Sequence, residues 1–300
     1  MEPFYHVVSD WTEFLDLVPD EKKDVFHSYG FHKLFARVEK ATCEAFIYKK
    51  DNIVIILPYL KRDLSNQIKA IDSQNTYDIT GVYGYSGVIG INFCLDLLKR
   101  FMEEFDKYCK SEHIISSFFR LHPFLSEYQI KSLKNIRNER KIIVLPLDSQ
   151  LDTITKAFKH GTRKSLRKAR EFDVKVKSYS KIPIDQFYEI YNETMDRNNA
   201  SPFYYFDKLF FSRLNQLSNC HKTYIAFLNG KPISVEVVLY SKNYWHSFLG
   251  GTLVKEIKKC PNILLKYSII KDAIQNGALY FILGGGHRSN DGVFNYKKSF

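Results

Sequence analysis

One order of secondary-structure elements occurs twice along this chain, and it limits the possible folds more than any other feature of the sequence. The first half has a helical pattern, two strand-like runs, a Gly/Tyr-rich loop, an amphipathic helix and a strand, at residues 11–38, 45–48, 53–60, 80–90, 93–110 and 114–120. The second half repeats helix, hairpin, loop, helix and strand at residues 184–217, 223–227, 233–240, 244–249, 262–275 and 279–283. The repeat predicts an α/β protein (α+β, with mixed sheets) of two similar domains, residues 1–148 and 149–300.

The composition excludes several classes of protein. The longest apolar run, residues 53–60, contains Pro58 and is much shorter than the roughly 18 residues that a membrane-spanning helix needs. The first residues include acids where a secretory signal would be basic. The five cysteines are scattered and form no CxxC pair, so we expect reduced thiols, no metal site and a cytoplasmic location.

The positive charge is concentrated in one segment. The chain carries 44 Lys and Arg against 33 Asp and Glu, and residues 151–180 alone hold nine basic and three acidic residues. Arg163, Arg167 and Arg170 follow helical spacing, with Lys164 beside them and Thr162 as the expected N-cap. Such a face predicts an anionic partner, either a phosphate, a nucleotide, RNA or an acidic membrane surface. The alternative is a solvated basic helix.

A second candidate anion site lies at the start of the helix near residue 262. Pro261 suits the first turn of a helix, because its missing N–H would have no partner there. The main-chain amides of Asn262, Ile263 and Leu264 would then point out of the helix end. An ordinary helix start is the alternative. The sequence contains no GxxxxGK[ST], GxGxxG, HExxH or GxSxG motif, which argues against P-loop and Rossmann chemistry.

The C-terminal segment combines glycines with lysines and aromatic residues. Gly285 and Gly286 follow a predicted strand directly, and glycines there allow a ligand to approach the main chain closely. A flexible turn is the alternative interpretation. The chain ends on an aromatic residue, so we expect the tail to pack and to hold Lys297 near the core.

Two further segments offer candidate substrate contacts. Tyr83 and Tyr85 alternate with glycines, an arrangement that can line a polar pocket or form a packing corner. Arg120 and His122 end the next strand, where ligands gather in open α/β sheets, although a buried His122 bonded to the backbone is equally consistent with the sequence. The segment 191–206 adds Arg197 and Tyr205, although its aromatic residues are most simply core.

Several of these stretches, taken in order, resemble the FemAB-like N-acyltransferases, the two-domain relatives of GCN5-type (GNAT) acetyltransferases. They are TGVYGYSGV, FFRLHPFL, GTRKSLRKAREFDVKV, YNETMDRNNASPFYYF, the run from LGGTLV to ILGGG, and FNYKKSF, and the resemblance covers roughly residues 31–300. The resemblance implies two tandem GNAT-like domains. It also implies an enzyme that acylates a primary amine of a cell-envelope or polysaccharide precursor.

The resemblance leaves two donors open, acyl-CoA (acetyl-CoA) and aminoacyl-tRNA. The Q/R-x-x-G-x-G/A loop that holds the CoA pyrophosphate in GCN5-type enzymes is absent, and residues 258–264 stand in its place. The implied acceptor is a phosphorylated small molecule or a lipid-linked saccharide, with tRNA and a peripheral membrane contact as further partners. The basic face of Arg163 and Arg167 would bind the phosphates.

Acyl transfer to an amine requires a proton acceptor and a group that stabilises an oxyanion. The candidate bases are Glu236 and His246 on neighbouring strands, and Lys297 is the candidate group for the oxyanion or an acceptor phosphate. Alternation along the strand puts Glu236 on the same face as Val238 and Tyr240, although a salt bridge would also explain an acid there.

The second hypothesis is a non-enzymatic protein that binds RNA or an anionic surface. It rests on a pI of about 9.2 and on the basic stripe. Bulk RNA binding with a steep dependence on salt would favour it, whereas saturable binding of CoA or a nucleotide sugar would favour the enzyme. The oligomeric state is left open by the sequence.

Overall fold

The computed structural model describes residues 4–65, 75–132, 136–286 and 291–300. The chain forms two compact units, Met1–Arg137 and Asn138–Phe300. This division precedes the boundary expected at 148/149, because the strand Ile143–Pro146 already pairs with a strand of the second unit.

The first unit is built on one sheet. Its strands are β1 (Phe4–Val8), β2 (Ala41–Lys50), β3 (Ile53–Asp63), β4 (Tyr77–Thr80), β5 (Ile89–Ile91) and β6 (Ile114–Phe118). Its helices are α1 (Thr12–Asp16), α2 (Tyr29–Glu39), α3 (Leu95–Ser111) and α4 (Glu127–Ser132). The strand order is β1-β2-β3-β4-β6, with β5 also beside β3, and β4 pairs with β6 in parallel.

Both faces of this sheet are covered, as the alternation of its strands requires. Phe46 and Ile55 pack against Phe101 of α3, whereas Ile47 and Val54, next to them in sequence, pack on the other face in the cluster around Trp11. Successive side chains of a strand point to opposite faces, so the long apolar runs of β2 and β3 fill two cores.

The second unit repeats this arrangement, again with a sheet of six strands among the described residues. Its strands are β7 (Ile143–Pro146), β8 (Lys175–Tyr179), β9 (His221–Leu228), β10 (Lys231–Tyr240), β11 (Tyr244–Thr252) and β12 (Tyr280–Gly284). Its helices are α5 (Leu151–Ala157), α6 (His160–Glu171), α7 (Ile184–Arg197), α8 (Lys208–Leu214), α9 (Pro261–Gln275) and α10 (Gly292–Lys297). The strand order is β7-β12-β11-β10-β9-β8, with β11 and β12 parallel.

Helices cover the two faces of this sheet differently. Ile269 and Ile270 of α9 share one core with Leu166 of α6 and with Val238 and Phe281 of the sheet. The opposite face carries α7, whose Ile190 carbonyl and Thr194 side chain lie so close to Gly251 that a Cβ there would be only 2.6 Å from either. The side of the sheet that faces α9 is the side on which the candidate site is built.

The repeated order of elements expected from the sequence is confirmed. The turn between β9 and β10 is formed by Asn229 and Gly230, with φ of 49° and 75°, as the Asn-Gly pair requires. The expected first helix over 11–38 is wrong in one respect: it is divided into α1 and α2, because Pro19 and two short 3-10 turns interrupt it. Among the described residues, every helix is too short or too polar to span a lipid bilayer.

Candidate functional site

The amine of Lys297 is held beside the loop that follows β12. Asp291 caps α10 by accepting a hydrogen bond from the amide of Phe294 at 2.7 Å, which fixes the short helix that carries Lys297. Lys297 Nζ donates to the carbonyl oxygen of Gly285 at 2.7 Å. Burial, and next to it the positive charge of Lys266, lower the pKa of Lys297 to about 8, while the charges of Glu236 and Asp291 act in the opposite direction. The expected packing of the C-terminal segment is confirmed.

A buried ion pair lies near this amine. Glu236 of β10 faces α9, where its Oε1 accepts a hydrogen bond from Nζ of Lys266, and the two residues are only 7% and 5% exposed. Lys266 Nζ also donates to Oγ of Ser247 on β11 at 2.6 Å. Burial lowers the pKa of Lys266, and the carboxylate of Glu236 counteracts this by favouring the charged amine. The salt bridge that the sequence left open for Glu236 therefore exists, in the interior.

The buried hydroxyl of Tyr296 is influenced by Glu236 and by the first turn of α9. Burial raises the pKa of Tyr296 well above its ordinary value, and the charge of Glu236 adds to the effect. The side chain of Asn262, in the first turn of α9, interacts with the Tyr296 hydroxyl and acts in the opposite direction. We call Glu236, Ser247, Lys266, Tyr296 and Lys297 the lysine cluster.

The glycines after β12 are required by close packing. A Cβ on Gly285 would lie 3.0 Å from the carbonyl oxygen of Lys141, and a Cβ on Gly286 would overlap the carboxylate of Asp291. Gly285 thus brings its carbonyl within reach of Lys297, and Gly286 leaves room for the cap of α10. Both glycines shape the loop at the lysine cluster, and a contact with a cofactor stays a prediction.

The start of α9 agrees only in part with the prediction from the sequence. The helix begins at Pro261, and the preceding Cys260 adopts φ of 58°. The amide of Ile263 donates to the carbonyl of Cys260 at 3.1 Å, so this N–H is engaged within the chain and does not point out to a ligand as expected. The amides of Asn262 and Leu264 stay predictions as anion donors.

The basic helix α6 differs from the expectation at two residues. The helix begins at His160, so Thr162 lies within its first turn, where its hydroxyl donates to Ser299 Oγ at 2.8 Å instead of capping the helix. Arg163 Nη1 donates to the carbonyls of Lys156 and Phe158 at the end of α5. Arg163, Lys164 and Arg167 are all exposed, but the guanidinium of Arg163 joins α6 to the end of α5.

Three candidate site residues, His246, Arg197 and Tyr205, are not part of the lysine cluster. Ser247 and Trp245 face α9, so His246 between them points to the opposite face of the sheet, away from Glu236. Arg197 Nη1 donates to the carbonyl of Thr252 at 2.7 Å, at the end of β11. The hydroxyl of the exposed Tyr205 donates to Asp196 at 3.0 Å.

The residues predicted in the first unit form a buried network of their own. His122 Nε2 and Asp24 Oδ2 are 2.8 Å apart, and His122 Nδ1 accepts from the amides of Phe124 and Leu125. Both ring nitrogens have partners inside the unit, which favours the structural interpretation that the sequence left open. The ring of Tyr85 packs edge-on against His122 at 5.5 Å.

Arg120 and Tyr83, the other two candidate substrate contacts of the first unit, interact with residues of the same unit. Arg120 Nη1 donates to the carbonyl of Gly84 at 3.3 Å. The ring of Tyr83 lies 6.1 Å from that of Phe35. A role of either residue in binding substrate stays a prediction.

The structure thus brings Glu236, Lys297, Asn262 and Gly285 together from the predicted set. Sequence reasoning missed Lys266, Ser247 and Tyr296. A signal for Lys266 existed, because the residue sits in the apolar stripe of α9 between Ile263 and Ile270, where a lysine needs a buried partner. Ser247 and Tyr296 had no such signal.

One family model matches most of the second unit. Residues 156–298 match the family model described as an acetyltransferase (GNAT) domain. No curated protein sequence matches the chain.

Similar solved structures extend over both units. FemX superposes with a TM-score of 0.73 at 12% identity, covering 100% of this chain and 94% of that one. The C-terminal domain of a putative lysylphosphatidylglycerol synthetase from Agrobacterium fabrum gives 0.56 at 12% identity, covering 96% and 82%. A tandem GNAT protein from the clavulanic acid biosynthesis pathway gives 0.52 at 8%, covering 99% and 94%. These similarities confirm the tandem GNAT-like fold.

Proposed function

We propose that this protein is an acyltransferase that acylates a primary amine of a cell-envelope or polysaccharide precursor, because residues 156–298 match an acetyltransferase (GNAT) domain model and the chain has the tandem fold seen in FemX and in a tandem GNAT protein. The donor is an acyl-CoA, such as acetyl-CoA, or an aminoacyl-tRNA. Both donors present an activated carbonyl, as a thioester in one case and an ester in the other. The GNAT match favours this reaction over the alternative of a non-enzymatic RNA-binding protein.

The single observation that carries the proposal is the position of the Lys297 amine. It is mostly removed from solvent, fixed by Gly285, and has a pKa of about 8, so most of it is protonated at pH 7. An ammonium held in place before the reaction, in a poorly solvated site, stabilises developing negative charge more strongly than one in water.

The proposed reaction uses Lys297 as the group that stabilises the oxyanion. The acceptor nitrogen attacks the donor carbonyl carbon, a C–N bond forms, and the carbonyl electron pair moves to oxygen. The Lys297 ammonium donates a hydrogen bond to this oxyanion. Collapse of the intermediate breaks the C–S or C–O bond and releases CoA thiolate or the tRNA alkoxide, and the alkoxide takes up a proton from solvent. The acceptor proton passes to solvent, because Glu236 is already bound to Lys266.

The donor-binding residues are proposed at the start of α9. The Gly-rich pyrophosphate loop of GCN5-type enzymes is replaced by the 3-10 helix Val254–Lys259, with exposed Lys255 and Lys258. These ammonium groups, together with the amides of Asn262 and Leu264, are the groups we assign to the phosphates of CoA or of the tRNA end.

The acceptor is proposed to carry a phosphate. Lys164 and Arg167 are exposed on α6, and their charges have no acidic partner among the ion pairs of the described residues. An anionic acceptor would gain from this local field. Arg163 is left out of this assignment because its guanidinium is bound to main-chain carbonyls.

The test is a transfer assay with defined donors and acceptors. Purified protein is incubated with radiolabelled acetyl-CoA or alanyl-tRNA and with amino-sugar nucleotides, and the product is identified by mass spectrometry. We expect an amide on the acceptor amine with at least one donor. Thermal shift with each compound gives a parallel readout, since a ligand at 100 times its Kd adds about 2.7 kcal/mol of stability. Neither binding nor transfer across these donors would contradict the proposal.

A further inference from the structure

We propose that α7 positions the two lysines assigned to the donor phosphates. Glu193, Thr194 and Arg197 of this helix fix the turn that leads from β11 into the 3-10 helix Val254–Lys259, which carries those lysines. This inference rests on the proposed function, because that function places the phosphates there. Of the three α7 residues, only Arg197 was predicted from the sequence as a site residue.

The three side chains bind main-chain groups of the turn. The amide of Val254 donates to Glu193 Oε1 at 2.6 Å, and the amide of Thr252 donates to Thr194 Oγ1 at 3.0 Å. The carbonyl of Thr252 accepts a hydrogen bond from Arg197 Nη1 at 2.7 Å. The carboxylate of Glu193 also meets the partial positive charge at the start of the 3-10 helix. One helix thus holds both ends of the turn.

Strand β10 binds the same turn through further hydrogen bonds. The amide of Leu253 donates to the carbonyl of Ile233 at 3.1 Å, and Ser234 Oγ donates to the carbonyl of Gly251 at 2.8 Å. A Cβ on Gly251 would lie only 2.6 Å from the carbonyl oxygen of Ile190, so glycine is what lets β11 come this close to α7. The turn is therefore fixed by two elements before any ligand binds.

The 3-10 helix that follows presents its side chains in three rows, because residues three apart eclipse one another. Glu256 and Lys259 form one row and are joined by a salt bridge of 2.6 Å. Lys255 and Lys258 form another row, and both are exposed. Neither has an acidic partner among the ion pairs of the described residues. Two ammonium groups in one row can contact neighbouring phosphates of one ligand.

Anchoring the turn has a direct consequence for binding. A loop that is free in solution has to be ordered when it binds a ligand, and the lost entropy weakens the affinity. A turn that is already bound to α7 and β10 avoids this loss. Glu193 and Arg197 are four residues apart, a spacing at which they could pair with each other, yet each contacts the turn instead.

Glu193 is the residue that tests this role most cleanly. It is only half-buried, and the Val254 amide that it accepts from lies at the surface, so water can bind this amide when the carboxylate is removed. Glu193→Met should therefore fold. Glu193→Gln keeps an acceptor oxygen at the same place and should restore the wild-type behaviour. Glu189→Met removes an exposed carboxylate from the same helix and is the matched control for loss of charge.

The experiment measures binding of inorganic pyrophosphate and of CoA by isothermal titration calorimetry. Glu193→Met should weaken both about fivefold, whereas Glu193→Gln and Glu189→Met should bind at least as tightly as wild type. In the Lys258→Met background the further loss caused by Glu193→Met should be clearly smaller, because one of the positioned ammonium groups is already gone. A general loss of stability would weaken binding equally in both backgrounds.

Hydrogen exchange provides a readout that needs no ligand. A peptide over residues 253–259 should exchange faster in Glu193→Met than in wild type and Glu193→Gln, because the turn loses one of its anchors. Arg197→Met should have the same effect, and Arg197→Lys, which keeps a donor, should reduce it. Peptides from β10 should exchange at the wild-type rate in all four variants, which shows that the core is intact.

Activity separates this inference from the proposed function. In an active enzyme, Glu193→Met should raise KM for the donor while kcat stays close to the wild-type value. Affinities that change as expected in a protein that transfers no acyl group would overturn the proposed function and leave the positioning role in place. Equal affinities in wild type and Glu193→Met would overturn the positioning role, whatever the activity. A wild-type protein that binds neither pyrophosphate nor CoA would overturn it as well.

Discussion

The ammonium of Lys297 donates a hydrogen bond to the main-chain carbonyl of Gly285 and thereby ties the C-terminal helix α10 to the loop that leaves β12. In the same part of the second unit, Thr162 of α6 donates to Ser299, and the amide of Lys159 donates to the Ser299 carbonyl at 2.9 Å. The last residues of the chain are thus anchored on two sides. Their position is what gives Lys297 a defined orientation.

Arg163 and Arg167 should behave differently although they lie one turn apart on α6. Arg163→Ala removes two hydrogen bonds to carbonyls at the end of α5 and should lower the free energy of unfolding by roughly 1 kcal/mol. Arg167→Ala should leave stability within about 0.5 kcal/mol and weaken binding of a phosphorylated acceptor. Urea denaturation and acceptor titration of both variants test this. Equal loss of stability in both would show that Arg163 does not hold the two helices.

Glycines in two environments should respond oppositely to alanine. Gly286→Ala would place a methyl group against the Asp291 carboxylate that caps α10, so it should disturb Lys297 and reduce transfer. Gly161→Ala, on the open side of α6 with no atom within 4 Å of the new Cβ, should stabilise the protein by about 0.5 kcal/mol. Thermal unfolding and activity are measured on both. A fully active Gly286→Ala protein would show that the cap of α10 does not position Lys297.

Buried histidines of the first unit should make it sensitive to acid. Burial lowers the pKa of His27 to about 3 and that of His32 to about 4, from about 6.5 in an unfolded chain. Below pH 6.5 the unfolded chain takes up protons that the folded one does not, so stability is lost as pH falls from about 6.5 towards these values. Each histidine should therefore lower the free energy of unfolding at pH 5 by about 2 kcal/mol relative to pH 8.

Denaturation at pH 8, 6 and 5 measures this dependence. His27→Asn retains an acceptor for the Asp24 amide, and its free energy of unfolding should depend less steeply on pH between pH 6 and 5 than that of wild type. The exposed His160→Gln serves as control. Wild-type stability that stays constant over this range would mean that His27 is not buried in its neutral form.

Those parts of the fold that depend on residues close together in the sequence could be predicted from it. Asn229-Gly230 supplied the positive φ values of a hairpin turn, and Pro261 marked the first residue of α9. The first helix was harder to predict, because the apolar spacing of residues 11–38 continues across Pro19 while the chain bends there.

The candidate site was harder to predict from the sequence than the fold, because it depends on which side chains of different helices and strands come into contact. Thr162 has the residue type of an N-cap, yet Ser299, 137 residues away, takes its hydrogen bond. Arg163 has the spacing of a basic face, yet carbonyls of α5 take its guanidinium. Lys266 contacts a carboxylate 30 residues earlier, and only the packing of α9 on β10 brings the two together.

The most direct test of the central claim is the pH dependence of single-turnover acyl transfer by wild type and Lys297→Met. The protonated amine of Lys297 is required, so the wild-type rate, corrected for the fraction of acceptor present as free amine, should be retained below pH 8 and lost as pH rises through about 8. Lys297→Met should fold, bind donor with unchanged affinity and react about 100-fold more slowly at pH 7. A Lys297→Met protein that keeps the wild-type rate, or a wild-type rate unaffected between pH 7 and 9, would contradict the account.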